Sequence, residues 1–168
     1  MTDILRLIAG GLLALICCYI GLLIKRRYKN RALLYKSACE YAGAMTSELT
    51  LNKTPIPVIA QRFTQGRKGE FERVLDECMA LTKDGKGFNE ALEKVNVAGL
   101  KVDEKKELLT FLCGGGKNSL GDQLAQVAHY KEVFSEKQKK CEADSKRLGG
   151  MYFKLCVLLG IAILLILA

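Results

Sequence analysis

Tryptophan is missing from this chain of 168 residues, proline occurs twice and histidine once. With so little proline and almost no alternating β-branched runs, the many short strands and tight turns of a sandwich or barrel are not on offer. A single histidine, His129, and the lack of a GxSxG elbow leave no recognisable Ser-His or Cys-His pairing for covalent catalysis. Seven cysteines are present, but none stands in a CxxC pair and their spacing is irregular, against both a disulfide framework and a zinc site. Disorder is excluded as well, because 49% of the residues are apolar, enough to offset the entropy of ordering a chain. What remains is a mostly helical protein.

The apolar residues concentrate at the two ends. Leu7 to Ile24 is a run of 18 residues without a charge, roughly 27 Å as a helix against a hydrocarbon core of about 30 Å. Leu155 to Ala168 is a second uncharged run of 14 residues; extended back to Met151 it takes in one charge, Lys154, whose stem can snorkel. Only Asp3 and Arg6 precede the first run, whereas Lys25, Arg26, Arg27, Lys29 and Arg31 follow it. That order is the reverse of a signal peptide, which carries its positive charge in front. Both runs read as membrane anchors.

The chain carries 26 Lys and Arg against 18 Asp and Glu, a net of +8, and the excess is local. Residues 25–36 hold six positive charges and no negative one, residues 131–147 hold six and four, and residues 37–130 hold 12 and 13. Basic residues beside membrane spans favour the cytoplasmic side, so residues 25–150 are expected in the cytoplasm with both termini outside. A near-neutral body also argues against nucleic-acid binding, which needs basic residues gathered on a folded face. In a reducing cytoplasm Cys39, Cys78, Cys113 and Cys141 act as small hydrophobes.

Periodicity divides the middle into about six helices. Leu34, Ala38, Tyr41, Met45 and Leu49 recur at three- and four-residue steps, predicting that the first helix continues to near Asn52. Thr54 and Pro55 read as the start of a second helix, Thr as cap and Pro in the first turn, running to about Phe63. After the break at residues 65–69, Phe71, Val74, Leu75, Cys78 and Met79 mark a third helix, closed by residues 84–87. Phe88, Ala91, Leu92 and Val95 suggest a fourth. A fifth, capped by Asp103, buries Leu108, Leu109 and Leu112 and stops at residues 114–116. Ser119 caps a long sixth helix whose seam is apolar early and polar late, the later half reading as a solvated stalk. The expected architecture is an all-α antiparallel bundle flanked by an N-terminal anchor (1–24) and a C-terminal anchor (151–168).

Candidate chemistry is sparse. Gly115-Gly116-Lys117-Asn118 imitates a phosphate loop, but Phe111 and Asn118 stand where glycine and Ser or Thr belong, so Gly116 reads as a helix stop. No metal or cofactor site is indicated, and His129 reads as a surface residue. Arg62, Arg67, Lys68, Glu70, Glu72 and Arg73 are exposed by pattern and form either a solvated face or a partner surface. Gly10, Gly11, Gly21 and Gly160 permit close helix approach in lipid, within one chain or in an oligomer.

Particular residues also carry a resemblance. Lys25-Arg26-Arg27-Tyr28 after a short span, Glu48-Leu49 leading to Thr54-Pro55-Ile56-Pro57, Leu108-Leu109, Phe111 ahead of Gly116, Gln123, Met151-Tyr152 and an apolar tail resemble the stage III sporulation protein AB family over essentially the whole chain. The family pattern F-G-x-x-L-G-x-x-D-x-x-x-Q is met by Phe111-Leu112, Gly115-Gly116, Ser119 and Gln123, with Ser in place of the acid. The usual Leu-Gly of the second anchor is Leu155-Cys156. This family is similar to the F-domain platform proteins of type II secretion. The resemblance implies a non-enzymatic subunit of the channel complex between mother cell and forespore, in the mother-cell membrane around the forespore. It also implies contact with a hexameric secretion-type ATPase, stage III sporulation protein AA, and with membrane components of the channel. The alternative is a membrane scaffold or regulator that never meets the ATPase; an enzyme using His129 is the remaining reading.

Overall fold

The computed structural model describes the backbone of residues 2–83, 88–113 and 120–167, and their side chains apart from residues 2–9, 88–89, 91, 164 and 166–167. Its elements are α1 (Thr2–Leu51), α2 (Ile56–Thr64), α3 (Glu70–Lys83), α4 (Phe88–Lys94), α5 (Val102–Cys113), α6 (Leu120–Asp144), a π-helical turn (Ser145–Gly149) and α7 (Gly150–Leu167). The expected all-helical class holds, with no strand among the described residues. The expected stops at residues 84–87 and 114–116 and the cap at Ser119 lie outside the described residues, as do the side chains of Phe88 and Ala91.

The chain forms two compact units, residues 33–139 and a pairing of residues 1–32 with 140–168. In the first, α2 packs on α3, and α3 and α4 pack on α5. The periodic faces meet there: Leu34, Ala38, Tyr41, Met45 and Leu49 of α1 are buried, as are Phe71, Val74, Leu75 and Cys78 of α3 and Leu108, Leu109 and Leu112 of α5. Seven rings form one connected cluster. Tyr41 lies 5.1 Å from Phe63, 5.7 Å from Phe71 and 6.1 Å from Phe111. Phe111 in turn lies 5.1 Å from Tyr130 and 5.2 Å from Phe134, and Phe134 lies 6.2 Å from Tyr35. Tilted and edge-on pairs of this kind add to the stability gained from burying their area.

Two helix starts and one helix seam differ from expectation. The N-cap of α2 is Pro55, without a side-chain cap, and Pro57 sits in the first turn. Thr54 instead donates its hydroxyl hydrogen bond to Glu48 Oε2 at 2.8 Å, because the turn through Lys53, at φ 49°, swings the chain back over the end of α1. Asp103 is no cap either: α5 begins one residue before it, and Glu104 accepts from the Lys101 amide at 3.0 Å, the back-reaching half of a capping box. The long seam of α6 fails at Leu120, which is exposed, and its polar late half is not fully solvated, since Cys141 is buried.

In the second unit two helices run antiparallel along a seam of small residues. An ideal Cβ on Gly160 falls 3.3 Å from Ala14 Cα, one on Gly21 falls 3.0 Å from Cys156 Cβ, and one on Gly149 falls 3.7 Å from Lys25 Cα. The large apolar side chains of this unit point the other way: Leu15 is 68% exposed, Tyr19 61%, Leu158 62% and Leu165 72%. Among the described residues no helix is long and apolar enough to cross a membrane. Both expected anchors, residues 1–24 and 151–168, run into side chains outside the described set.

Candidate functional site

The six residues expected as a partner face all belong to the unit 33–139, and the structure divides them. Glu70 and Arg73, one turn apart at the start of α3, face the same way by helical spacing. Arg73 donates to Glu70 Oε1 at 2.7 Å, to Glu77 Oε1 at 2.5 Å and to the Asn96 carbonyl at 2.5 Å. Glu70 also accepts from the Ala98 amide at 3.1 Å. Together they clasp the segment after α4 onto α3, and Val95 and Val97 are buried beneath it. Burial opposes the charge on Glu70, but its bonds from Arg73 and Ala98 prevail and hold its carboxyl below the usual range. The Glu70 and Glu77 carboxylates raise the pKa of Arg73.

Glu72 is not exposed as expected; it is 5% exposed. It lies on the edge of the apolar face of α3, and its carboxylate folds against Gly69, where any Cβ would overlap it. An acid in the first turn faces the unpaired amides and the positive end of the helix dipole, which offsets its burial.

Arg67, Arg62 and Lys68 stand apart from that clasp. Arg67 pairs with Glu40 at 2.8 Å and lies 4.2 Å above the Phe63 ring, tying the α2–α3 loop to α1. Arg62, on the last turn of α2, reaches Glu48 at 3.7 Å with its side chain 64% exposed. Lys68 is exposed and pairs with no described residue. Hydrogen bonds from Asn52 and Thr54, with the nearby Arg62 charge, hold the Glu48 carboxyl low against the effect of burial. Arg62, Arg67, Glu40 and Glu48 therefore form one surface of paired charges along α1 and α2, over a pocket of about 210 Å³ floored by Ile59 and Phe63.

Sequence reasoning missed two further features. An open groove of about 650 Å³ lies along α1 and α6, lined by Cys39, Thr46, Lys131, Glu132, Ser135 and Glu136. Cys78 of α3 and Cys113 of α5 share a hydrogen bond; it lowers the pKa of Cys113 against burial, while the same bond and burial raise that of Cys78. His129 is exposed, as expected. Among the described residues no three His, Cys, Asp or Glu side chains are grouped to hold a metal ion. Gly116 and Ser119 lie outside the described residues; Thr54 and Pro55 shape the α1–α2 corner rather than a chemical site.

No curated protein and no solved structure matches this chain. Among protein families, residues 6–168 match the one described as stage III sporulation protein AB (spore_III_AB). The match spans essentially the entire chain. This chain belongs to the stage III sporulation protein AB family and has a stage III sporulation role.

Proposed function

We propose that this protein is a membrane platform subunit of the channel complex between mother cell and forespore, similar to an F-domain protein of type II secretion. In this reading its helical body meets a cytoplasmic secretion-type ATPase, stage III sporulation protein AA, and its end unit meets the channel's membrane components. The observation that carries the membrane half is the inversion in the end unit: small residues fill the seam, and large apolar side chains such as Leu15, Leu158 and Leu165 face outward. A helix pair with apolar residues on its outside lowers its free energy by placing them in hydrocarbon. Both termini then lie outside the cytoplasm, the basic flanks favour a cytoplasmic body, and the mother-cell side is what the family resemblance implies.

The ATPase half rests on the family resemblance and on the charged surface along α1 and α2. With Glu70, Glu72 and Arg73 engaged in the clasp and on the face of α3, Lys68 and the loosely paired Arg62 are the members of the expected face most open to a partner, and Arg67 lies beside them in its pair with Glu40. The role needs no reaction at this protein, and His129→Ala should leave sporulation unchanged. Membrane attachment is tested by extracting membranes at alkaline pH, where the full chain should stay with the lipid; release into the soluble fraction defeats it. Co-purification of the ATPase should fall at least tenfold in the triple variant Arg62→Glu, Arg67→Glu, Lys68→Glu. Unchanged recovery would favour the alternative, a scaffold or regulator that contacts only membrane proteins.

A further inference from the structure

The end unit has a level at which its surface changes character on both helices at once. Partners across the seam fix the register: Ala14 faces Gly160, Gly21 faces Phe153 and Cys156, and Gly149 faces Lys25 and Tyr28. Residues 25–29 of α1 therefore stand beside residues 145–149 of the π-helical turn. On α1 this level exposes Arg26, Arg27 and Lys29; across from it Lys146 and Arg147 are exposed. None of these five cations pairs with a described carboxylate, although Glu142 and Asp144 lie within a turn or so on the second helix. Aromatic residues occupy the adjoining level: Tyr152 is 40% exposed, and Lys25 Nζ reaches to 5.5 Å over the Phe153 ring, while Tyr28 is half-buried at the cation level itself. Beyond them the exposed surface is apolar apart from Lys154, whose long stem lets its charge snorkel back toward the aromatic level, and it runs through Leu22 and Leu155 to Leu15 and Leu165.

Apolar skin, then aromatic rings, then unpaired cations is the sequence of environments met on leaving a bilayer. The rings are amphipathic enough for the headgroup boundary, and guanidinium groups match phosphate oxygens in a two-point geometry. The π-helical turn has a place in this layout. It inserts where Gly149 lets the helices approach, and it sets the exposed pair Lys146 and Arg147 level with Arg26 and Arg27.

From this juxtaposition we propose that Arg26, Arg27, Lys29, Lys146 and Arg147 form a collar that binds the headgroups of anionic phospholipids. The inference rests on the membrane reading and goes beyond it, since a hydrophobic pair needs no particular lipid charge. Clustered Lys and Arg next to an apolar segment attract acidic lipid, and the attraction fades with salt.

The test reconstitutes the full-length protein in discs of mixed phosphatidylglycerol and phosphatidylcholine and weighs the lipids that stay bound, by native mass spectrometry. Phosphatidylglycerol should be enriched roughly five- to tenfold over its share of the disc. The variant Arg26→Gln, Arg27→Gln, Lys146→Gln, Arg147→Gln should lose that enrichment, and Lys at all four positions should restore most of it. Changing Lys101 and Lys106 of the body to Gln should leave it intact. Equal retention of both lipids by the unaltered protein, or enrichment that survives the quadruple Gln change, overturns the collar. Displacement of the lipid by millimolar inorganic phosphate overturns the headgroup assignment in favour of free phosphate. If the protein enters discs of neither lipid, the membrane reading itself has failed, a result distinct from entry without preference.

Discussion

Residues 33–139 and the end unit draw on the same apolar residue types and place them oppositely. In the body, Tyr35, Tyr41, Phe71 and Phe134 are almost fully buried, and charge stays outside in pairs such as Arg67 with Glu40. In the end unit the positions removed from solvent include Gly21, Gly149 and Gly160, while Leu15, Tyr19 and Leu158 face out. Burying a ring removes a large apolar area from water, so the hydrophobic effect drives it. A buried glycine removes little area. Its benefit is close backbone approach and dispersion, which keep their strength in an apolar solvent where the hydrophobic effect vanishes.

That contrast is broken most severely from the body side. Phe134 touches Tyr35, Phe111 and Tyr130 and is fully buried. Phe134→Ala should cost about 3–5 kcal/mol, read as a lower urea midpoint of the helical signal. Leu158→Ala, at a side chain 62% exposed, should move the same midpoint by less than about 0.5 kcal/mol. Equal losses would show that Leu158 is core, contrary to the inversion described for the end unit.

On the end unit the order reverses, and adding atoms does the damage. A side chain at Gly160 meets the backbone of Ala14, its Cα and carbonyl oxygen both 3.3 Å from the new Cβ. Gly160→Leu should therefore cost about 1–3 kcal/mol in that unit and open the seam. Cys156, half-buried on the same seam, should react faster with a maleimide. Gly11 has open space around its Cβ position, so Gly11→Ala should leave Cys156 reactivity unchanged and gain up to about 1 kcal/mol from helix propensity. Faster labelling in both variants would sink the register.

Much of the body was legible because its helices obey one period. The stripes on α1, α3 and α5 mark which residues are buried, and each lies within one element. What periodicity misses is settled between elements. Thr54 could have capped α2, yet its hydroxyl met Glu48, six residues back, after a turn that local propensity does not announce. Arg73 reads as a solvated helix charge until Asn96, 23 residues on, arrives under it. Glu72 reads as exposed because it is charged, whereas its place on the edge of an apolar face, beside a glycine, decided otherwise. The glycines of the end runs were visible, but their register was not. Nor was the π-helical turn at Ser145–Gly149, since Gly149 and Gly150 weaken a helix without specifying which irregularity follows.

Within the body, the Arg73 clasp separates buried apolar packing from surface charge, and its contribution is intermediate. Arg73→Ala removes bonds to two carboxylates and a carbonyl at a site 43% exposed. Solvent screening limits the loss to about 1 kcal/mol. The pH dependence follows from Glu70, whose folded pKa lies below its ordinary value of 4.5. Its contribution is present above that value and lost as pH falls through the lower folded pKa, because the unfolded chain binds the proton first. Urea midpoints below pH 4.5 should fall less steeply in Glu70→Gln. An unchanged slope would mean that Glu70 carries no net charge coupling to the clasp.

The smallest effect concerns two thiols where α3 and α5 pack. Cys113 is half-buried and Cys78 is fully buried, so only the first is open to a reagent. The hydrogen bond from Cys78 stabilises the Cys113 thiolate, against burial. The negative end of α5 also opposes that charge, which leaves the neighbouring S–H as the favourable influence. Cys78→Ala should therefore raise the pKa of Cys113 and slow its alkylation at pH 8 by roughly two- to fivefold, the worth of one such bond. Cys78→Ser keeps a donor and should keep most of the rate. The comparison is internal to one site, so general loosening of the body predicts the opposite sign: a more accessible Cys113 and faster reaction in both variants. Slowing confined to the alanine variant shows the bond; acceleration in both shows that Cys78 contributes packing alone.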